Sequence, residues 1–426
     1  MSDVSVSRIP VLPQALRWGS SAQLARRFML RVLSRIHVGS LTLHDGDDTH
    51  HFGCTATEAE KLGQPQAEIV VHNRDAFGKV LMGGTIASGE AYIDGDWSTP
   101  DLTQVTRLFS ANMASMESMQ ANQQWYTKLA LRFAHALNRN THEGSRRNIS
   151  AHYDLGNDFF SLFLDPSMMY SSAVFETPDT GLEQASRDKL DAICQQLELS
   201  ENDHLVEIGT GWGGMAIHAA QNYGCRVTTT TISKEQYDFA KSRVKQLGLD
   251  DQITLLLKDY RALSGEFDKL VSIEMIEAVG HDFYDSYFAT CSRLLKPMGK
   301  MVLQAITIPD SRYEQARRSV DYIKRYIFPG GCLPSLEVIS RNIAKKTDLQ
   351  MVHLRDITLD YARTLEQWRL RFSDKLEDVR SMGFDERFIR MWEFYLCYCE
   401  GGFRERIIGT AQISFAKPGY RPQAGS

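Results

Sequence analysis

Apolar and polar positions change period along this chain, and the changes mark its elements. Leu24, Phe28, Val32 and Ile36 recur at helical spacing, with Met29 and Leu33 beside them and Arg27, Arg31 and Arg35 opposite, which predicts a basic amphipathic helix. Between 39 and 97 the pattern shortens to GSLTLHDGD, AEIVVHN, FGKVLMGG and ASGEAYIDGDW, with Gly and Asp at the turns, which predicts a small β-rich module ending near Leu108. The stretch 110–150 is polar and mostly helical and reads as a connector. HYDLGNDFFSLFLDPSMMYSSAVF, at 152–175, is dense in aromatics and reads as a helix packed on a sheet, followed by a polar turn at Tyr170, Ser171 and Ser172. Strand-length runs at 225–232, 253–258, 267–274, 300–307 and 351–358 then alternate with helical stretches, predicting a parallel sheet covered on both faces. The last run, 407–416, lacks a crossover pattern before it and is expected to lie antiparallel at the sheet edge. Residues 311–346, with the turn FPGGCLP, form an insertion after a strand end and are expected to make a lid.

The densest signal is LVEIGTGWGG at 205–214, an apolar strand breaking into a glycine turn that opens a helix at Met215. Glycines at such a corner let the backbone approach a ligand that any Cβ would keep away. GTGWGG also satisfies the dinucleotide pattern GxGxxG, which calls for a ribose-binding acid about 20 residues on. The next strand ends instead in Thr231, Ile232 and Ser233, and Glu235 lies inside the following helix pattern. Glu207 closes the first strand, as an acid does in class I methyltransferases. The corner therefore favours a methyl donor over a dinucleotide without excluding the latter.

At 426 residues, about two or three domains of roughly 150 residues are expected. A net charge of -5 argues against a nucleic-acid binder. No window approaches a membrane span or a signal-peptide core, and the 7 scattered cysteines suit a reducing, cytoplasmic setting. Cys397 and Cys399 are too close for a zinc knuckle, and His44, His50 and His51 read as loop histidines rather than ligands, so no metal is expected. Residues 4–44 carry six arginines and no acid, which suits either an anionic membrane surface or a helix packed on its own domain with a solvated arginine face.

Several motifs in order then resemble the cyclopropane fatty acid synthases and mycolic acid methyltransferases: HYDLGNDFF with MMYSSAVF, VEIGTGWGG, TISKEQ, SIEMIEAVGHDFY, YIFPGGCLP and CEGGFRER. The likeness covers roughly 150–418, and EMIEAVGH and LQAITIP look closest to the plant-type branch. The resemblance implies an α/β fold, a class I methyltransferase (Rossmann-like) seven-stranded sheet with a helical lid insertion, plus the small N-terminal β-rich domain. Its expected layout is 1–110 for the basic helix and β-rich, membrane-associated domain, 111–150 for a helical connector and 151–426 for the methyltransferase domain.

The implied chemistry moves a methyl from S-adenosylmethionine to the cis double bond of an unsaturated phospholipid acyl chain. A carbocation results, and loss of a proton from the new methyl closes a cyclopropane ring. In the family the base is a bound bicarbonate. By position, Glu277 and Tyr361 match residues that hold it, Ile306 a backbone contact, and Cys399 a cysteine of the site. Two positions depart: Ser172 stands for a cysteine and Gln304 for a histidine. Weaker hold on bicarbonate would favour a methyl-branched unsaturated product. Around the donor the resemblance places Glu207, Gly209, Gly211, Trp212 and Gly213, with Thr231, Ser233 and Gln236 toward ribose or adenine. Asp259 and Tyr260 are expected near adenine, and Tyr170 and Ser171 over the carboxylate end.

Cys399 is expected to line the site without acting as a nucleophile, since no acyl-enzyme forms. Glu274, Glu277 and His281 share one corner, where a carboxylate beside a sulfonium is a better reading than a metal site. Peripheral contact with the inner membrane surface and a homodimer through the N-terminal module are further implications. The competing readings are a small-molecule methyltransferase and a non-catalytic lipid-binding protein that keeps the fold.

Overall fold

The computed structural model describes residues 14–116 and 155–422, with side chains from 22 onward. The start of the arginine-rich region, most of the expected connector and His152 lie outside them. The protein divides into two compact units, Met1–Gly144 and Ser145–Ser426.

The first unit is mixed rather than β-rich. Strands β1 (Ser40–Asp45) and β2 (Asp48–Gly53) form a hairpin, β3 (Gln66–Val71) runs parallel to β1, and the short β4 (Trp97–Ser98) pairs antiparallel with β3. Helices α1 (Gln14–Leu33), α2 (Ala56–Lys61), α3 (Asp75–Ile93) and α4 (Leu102–Ala111) accompany them. FGKVLMGG and most of ASGEAYIDGDW, expected as strands, belong to α3. Their small residues fit a helix that buries Ala76, Phe77, Ala87 and Ala91, and the glycines that suggested a turn only kink it, with Gly84 at φ 58°.

Helix α1 packs on α3 and buries Leu33, with Ile36 buried just beyond its end, while Arg27, Arg31 and Arg35 are exposed. Leu24, assigned to the apolar face, is 68% exposed. Arg26 turns inward to Asp45, and its Nη2 lies 2.7 Å from Asp48 Oδ2 and 3.1 Å from His50 Nε2. Asp45, Asp48 and His50 have the spacing of a metal trio, but this guanidinium stands where the cation would.

The second unit is a seven-stranded sheet in the order β10-β11-β9-β8-β5-β6-β7. Its strands are β5 (His204–Ile208), β6 (Arg226–Thr231), β7 (Ile253–Leu257), β8 (Phe267–Ile273), β9 (Leu295–Thr307), β10 (Gln350–Asp356) and β11 (Gly409–Ala416). This is the class I methyltransferase fold. The antiparallel strand is the expected one, β11, but it lies between β9 and β10 rather than at the edge. Its burial explains the difference: Ile413 and Phe415 are fully covered, whereas β10 is exposed along most of its length.

Both sheet faces are buried by alternation along the strands. Leu205, Val227, Val271 and Val302 meet α6 (Leu182–Leu197) and α7 (Gly214–Tyr223). Val206, Leu270, Met301 and Leu303 meet α10 (Tyr284–Leu294) and α13 (Leu336–Lys346) on the other face. Between these lie α8 (Lys234–Gln246) and the short α9 (Ile276–Val279), with α5 (Gly156–Ser161) before the sheet. The insertion therefore divides. Its α13 is a core helix, while α11 (Asp310–Arg318) and α12 (Tyr322–Tyr326) lead to Phe328 beside the aromatic wall described below. The remaining helices are α14 (Thr358–Asp374), α15 (Leu376–Ser381) and α16 (Glu386–Arg404).

Candidate active site

Strand order reverses at β5, whose neighbours are β6 and β8, and in open α/β sheets ligands bind at the carboxyl ends of the strands at such a point. The glycine turn follows β5, and the acidic corner of Glu274 and Glu277 follows β8. Gly209 takes φ 101°, and a Cβ there would crowd Met275 at about 3.2 Å. At Gly214 a Cβ would sit 2.6 Å from Met169 Sδ, so the opening of α7 can lie against the 167–169 segment only without a side chain. The corner is thus a backbone cradle that side chains would fill, which fits an adenosyl donor.

The residues expected around that donor are brought to this end of the sheet. Glu207 is buried, and Thr229 Oγ1 donates to its Oε2 at 2.6 Å. Burial pushes its carboxyl up to about 8, partly offset by that hydrogen bond and by the Lys189 charge. Trp212 Nε1 donates to Asn157 Oδ1 at 2.6 Å, tying α5 to the turn. Thr231 Oγ1 donates to Gln236 Oε1 at 2.8 Å, and the Ser233 hydroxyl caps α8 by accepting from Gln236 N–H. Asp259 accepts from the backbone and guanidinium of Arg261, whose pairing holds its carboxyl low. Tyr260 packs edge-on to Tyr287.

The other wall is aromatic. The Tyr170 ring lies 5.1 Å from Phe160, 5.2 Å from Trp368 and 6.4 Å from Phe328, and its hydroxyl is 2.8 Å from that of Tyr395. Cys399, on α16, lies near this group. Burial, with the charge of Asp321, raises its thiol well above the ordinary range. A thiol so protonated is a poor nucleophile.

At the acidic corner the arrangement differs from the one expected. Tyr361 Oη donates to Glu274 Oε2 at 2.8 Å, and Gln304 Nε2 and the Ser172 N–H donate to Glu274 Oε1 at 2.8 and 2.9 Å. The donors assigned to bicarbonate are thus engaged by the carboxylate of Glu274. Ile306 N–H, the remaining backbone donor, goes to Glu277 Oε1 at 2.5 Å. The Ser172 hydroxyl points away, donating to Ala173 O at 2.9 Å, so only its amide takes part. The residues present do not fit a bound bicarbonate.

Glu277 Oε2 is shut off from solvent and has no partner among the described residues. Burial, then the neighbouring Glu274, pushes the Glu277 carboxyl up to about 8. Burial also raises Glu274, against the pull of its three donors. Gln304 is itself oriented: its Oε1 accepts from Gln412 Nε2 at 3.0 Å, and Gln412 Oε1 accepts from Gln196 Nε2 at 2.7 Å.

Sequence reasoning gave Glu274 no specific partner and missed Lys189, Gln412 and Asn157. Lys189 is fully buried, donates to Ser171 Oγ at 2.9 Å, and is driven down to about 8 by burial despite the charges of Glu274, Asp165 and Glu207. A signal for it existed. It sits on the α6 stripe of Leu182, Ala185, Ser186, Leu190, Ile193 and Leu197, where a lysine is out of place.

The model of the family "Mycolic acid cyclopropane synthetase" matches residues 139–413. A tuberculostearic acid methyltransferase, UfaA1 of Mycobacterium tuberculosis, is 35% identical over 97% of this chain and 95% of its own length. The cyclopropane-fatty-acyl-phospholipid synthase of Escherichia coli is 38% identical over 83% of this chain and 89% of its own. Among solved structures, the cyclopropane synthase MmaA2 from Mycobacterium tuberculosis superposes with a TM-score of 0.59 at 30% identity, covering 64% of this chain and 98% of that one. The cyclopropane synthase CmaA1, solved complexed with SAH and CTAB, gives 0.58 at 30% identity.

Proposed function

The chain belongs to the mycolic acid cyclopropane synthetase family, and we propose that it methylates the cis double bond of unsaturated phospholipid acyl chains. It is an S-adenosylmethionine-dependent methyltransferase that acts on lipid. The observation that carries the acceptor assignment is the pairing, at one sheet end, of the glycine cradle with an aromatic wall and the half-buried carboxyl pair of Glu274 and Glu277. A soluble nitrogen or oxygen acceptor has no need of such an apolar, negatively poised pocket.

The sulfonium of the donor supplies an electrophilic methyl. The protein's own residues do the rest. Gly209, Gly211, Trp212 and Gly213, with Glu207, hold the donor's methionine and ribose portions; Thr231, Gln236, Asp259 and Tyr260 border its base. Ser171, held by Lys189, and Tyr170 close over the carboxylate end. As the π pair of the alkene takes the methyl, positive charge moves to the neighbouring carbon. The faces of Tyr170 and Trp368 and the carboxylates of Glu274 and Glu277 lie in a dry environment where such charge is stabilised most. Cys399 lines the acyl-binding side as a neutral thiol.

Ring closure is the proposed outcome. One relative that matches nearly the whole chain, UfaA1, is named a methyltransferase, which favours the branched product as the second reading. Methyl-labelled S-adenosylmethionine with vesicles of cis-unsaturated phospholipid, followed by NMR of the acyl chains, separates them. Cyclopropane protons support the first reading, label beside a surviving double bond the second, and no label in lipid rejects both.

Membrane contact is part of the proposal. No helix among the described residues is long and apolar enough to cross a bilayer, and the exposed Arg27, Arg31 and Arg35 offer an electrostatic face for anionic lipid. Binding to such vesicles should weaken steeply between low and physiological salt, as exposed charges are screened over about 8–10 Å. Salt-independent binding would reject the electrostatic face.

A further inference from the structure

Glu274, just after β8, has a left-handed backbone, φ 49°, a conformation that a side-chain-bearing residue keeps only when its surroundings hold it there. Here they do. Its N–H donates to Gln304 O at 2.8 Å, and its carboxylate receives donors from three separate elements: the 170–172 turn, β9 and α14. The Gln304 amide is in turn fixed by Gln412, so its NH2 faces the carboxylate. This is an anion site, and the anion in it is a side chain.

We propose that Glu274 is the resident base of the reaction, taking the proton that the methylated acyl cation loses and removing the need for a bicarbonate ion. The inference rests on the methyl-transfer reading above and adds the identity of its proton acceptor. Three considerations support it. The Tyr361 hydroxyl, the Gln304 amide and the Ser172 N–H are already used by Glu274, and the Ile306 N–H by Glu277. A second anion would therefore enter beside two carboxyl groups with none of those donors left. Glu274 Oε2 accepts one hydrogen bond, from Tyr361, and a carboxylate oxygen has room for another. A C–H bond beside a carbocation is intensely acidic, so a carboxylate held by three donors is base enough and position decides.

The step balances without a further reagent. The alkene π pair forms the bond to the methyl while the carbon–sulfur bond breaks, leaving a cation on the adjacent carbon. A C–H bond of the new methyl then breaks. Its electron pair closes the ring and its proton goes to Glu274 Oε2, so the substrate's positive charge is cancelled against the carboxylate. If a C–H bond of the acyl backbone breaks instead, the pair forms a double bond and the same oxygen takes the proton. The proton passes to solvent as product leaves.

The test uses the full-length enzyme, methyl-labelled S-adenosylmethionine and dioleoylphosphatidylglycerol vesicles in buffer stripped of carbon dioxide. Wild type should run at the same rate, within about twofold, with or without added bicarbonate. Glu274→Gln keeps the shape but not the base and should lose about 100-fold or more in kcat, the usual worth of a positioned base, with donor affinity little changed. Glu274→Gly suits the left-handed backbone and vacates the anion site, so its rate should rise at least about tenfold on adding bicarbonate or formate. A wild-type rate that collapses without bicarbonate, or a Glu274→Gln variant with wild-type turnover, overturns the inference while leaving methyl transfer standing. A wild type that labels no lipid overturns both.

Discussion

Replacing Glu277 by glutamine should make the protein more stable and nearly inactive, and the gain in stability should grow with pH. The carboxyl is moved from its ordinary 4.5 to about 8, first by burial and then by the charge of Glu274. In the unfolded state the side chain ionises near 4.5, whereas in the folded protein it keeps its proton until about 8. Between those values the folded state binds the extra proton, so stability falls as pH rises. The contribution is fully present below the lower value and lost as pH passes the upper one. At ~1.4 kcal/mol per pH unit, the ceiling is about 5 kcal/mol at pH 9 and below about 1 kcal/mol at pH 5. Relaxation and water entry lower such ceilings, because buried sites behave as media of dielectric near 20, and about 2–3 kcal/mol is the expected gain at pH 9.

Glutamine keeps the acceptor for Ile306 N–H and brings no charge, so little else changes at the site. Melting wild type and E277Q at pH 5, 7 and 9 checks the argument. At ~2–4 °C per kcal/mol, the gap in Tm should be small at pH 5 and reach about 4–12 °C at pH 9. A gap that stays constant or narrows with pH would refute the reasoning, because it would mean that Glu277 is charged at neutral pH without strain. At pH 9, where the Glu277 carboxyl is ionised, the turnover of the variant should drop by about 100-fold, as a charge aimed at the transition state is lost.

Tyr361→Phe leaves Glu274 Oε2 without its donor and should cost about 1–3 kcal/mol in urea unfolding, together with a rise in the pH at which activity is half-maximal. Gln412→Leu cuts the amide relay behind Gln304 and should lower kcat several-fold with donor Kd unchanged, as measured by calorimetry. Cys399→Ser should keep turnover within about threefold, because the thiol is protonated far above neutral pH and forms no bond in the reaction.

Much of the second unit was legible because its strands are short apolar runs between helical stretches, and period alone separates them. The glycine corner was legible because its chemistry demands particular residues. Elements failed where small residues serve two structures equally well. The Gly-Ala run of 75–93 reads as turn and strand, yet Ala76, Ala87 and Ala91 pack as a helix around a kink at Gly84. The placement of β11 failed for another reason: hydrophobicity says that Ile413 and Phe415 are buried, but not which strand will cover them.

Of the candidate site, Glu277 was legible only through the resemblance, while Lys189 and the partners of Glu274 were missed, and all three residues break local rules. Lys189 lies on the buried stripe of a helix, Glu274 has a backbone suited to glycine, and Glu277 carries a buried oxygen without a partner among the described residues. Sequence patterns assign such residues to error or surface, since each is unfavourable alone. Together they are not. Glu207 and Glu277 are raised to about 8 while Lys189 is lowered to about 8, so near neutral pH all three sit close to a change of charge. On the proposed placement of the donor, its sulfonium favours ionised carboxyls, so donor binding at pH 7 should release protons, whereas the demethylated product, with its neutral sulfur, should release few. If those protons are released, the stability forgone by burying these groups is recovered in part as affinity for a cation, and the preference disappears once the methyl has moved.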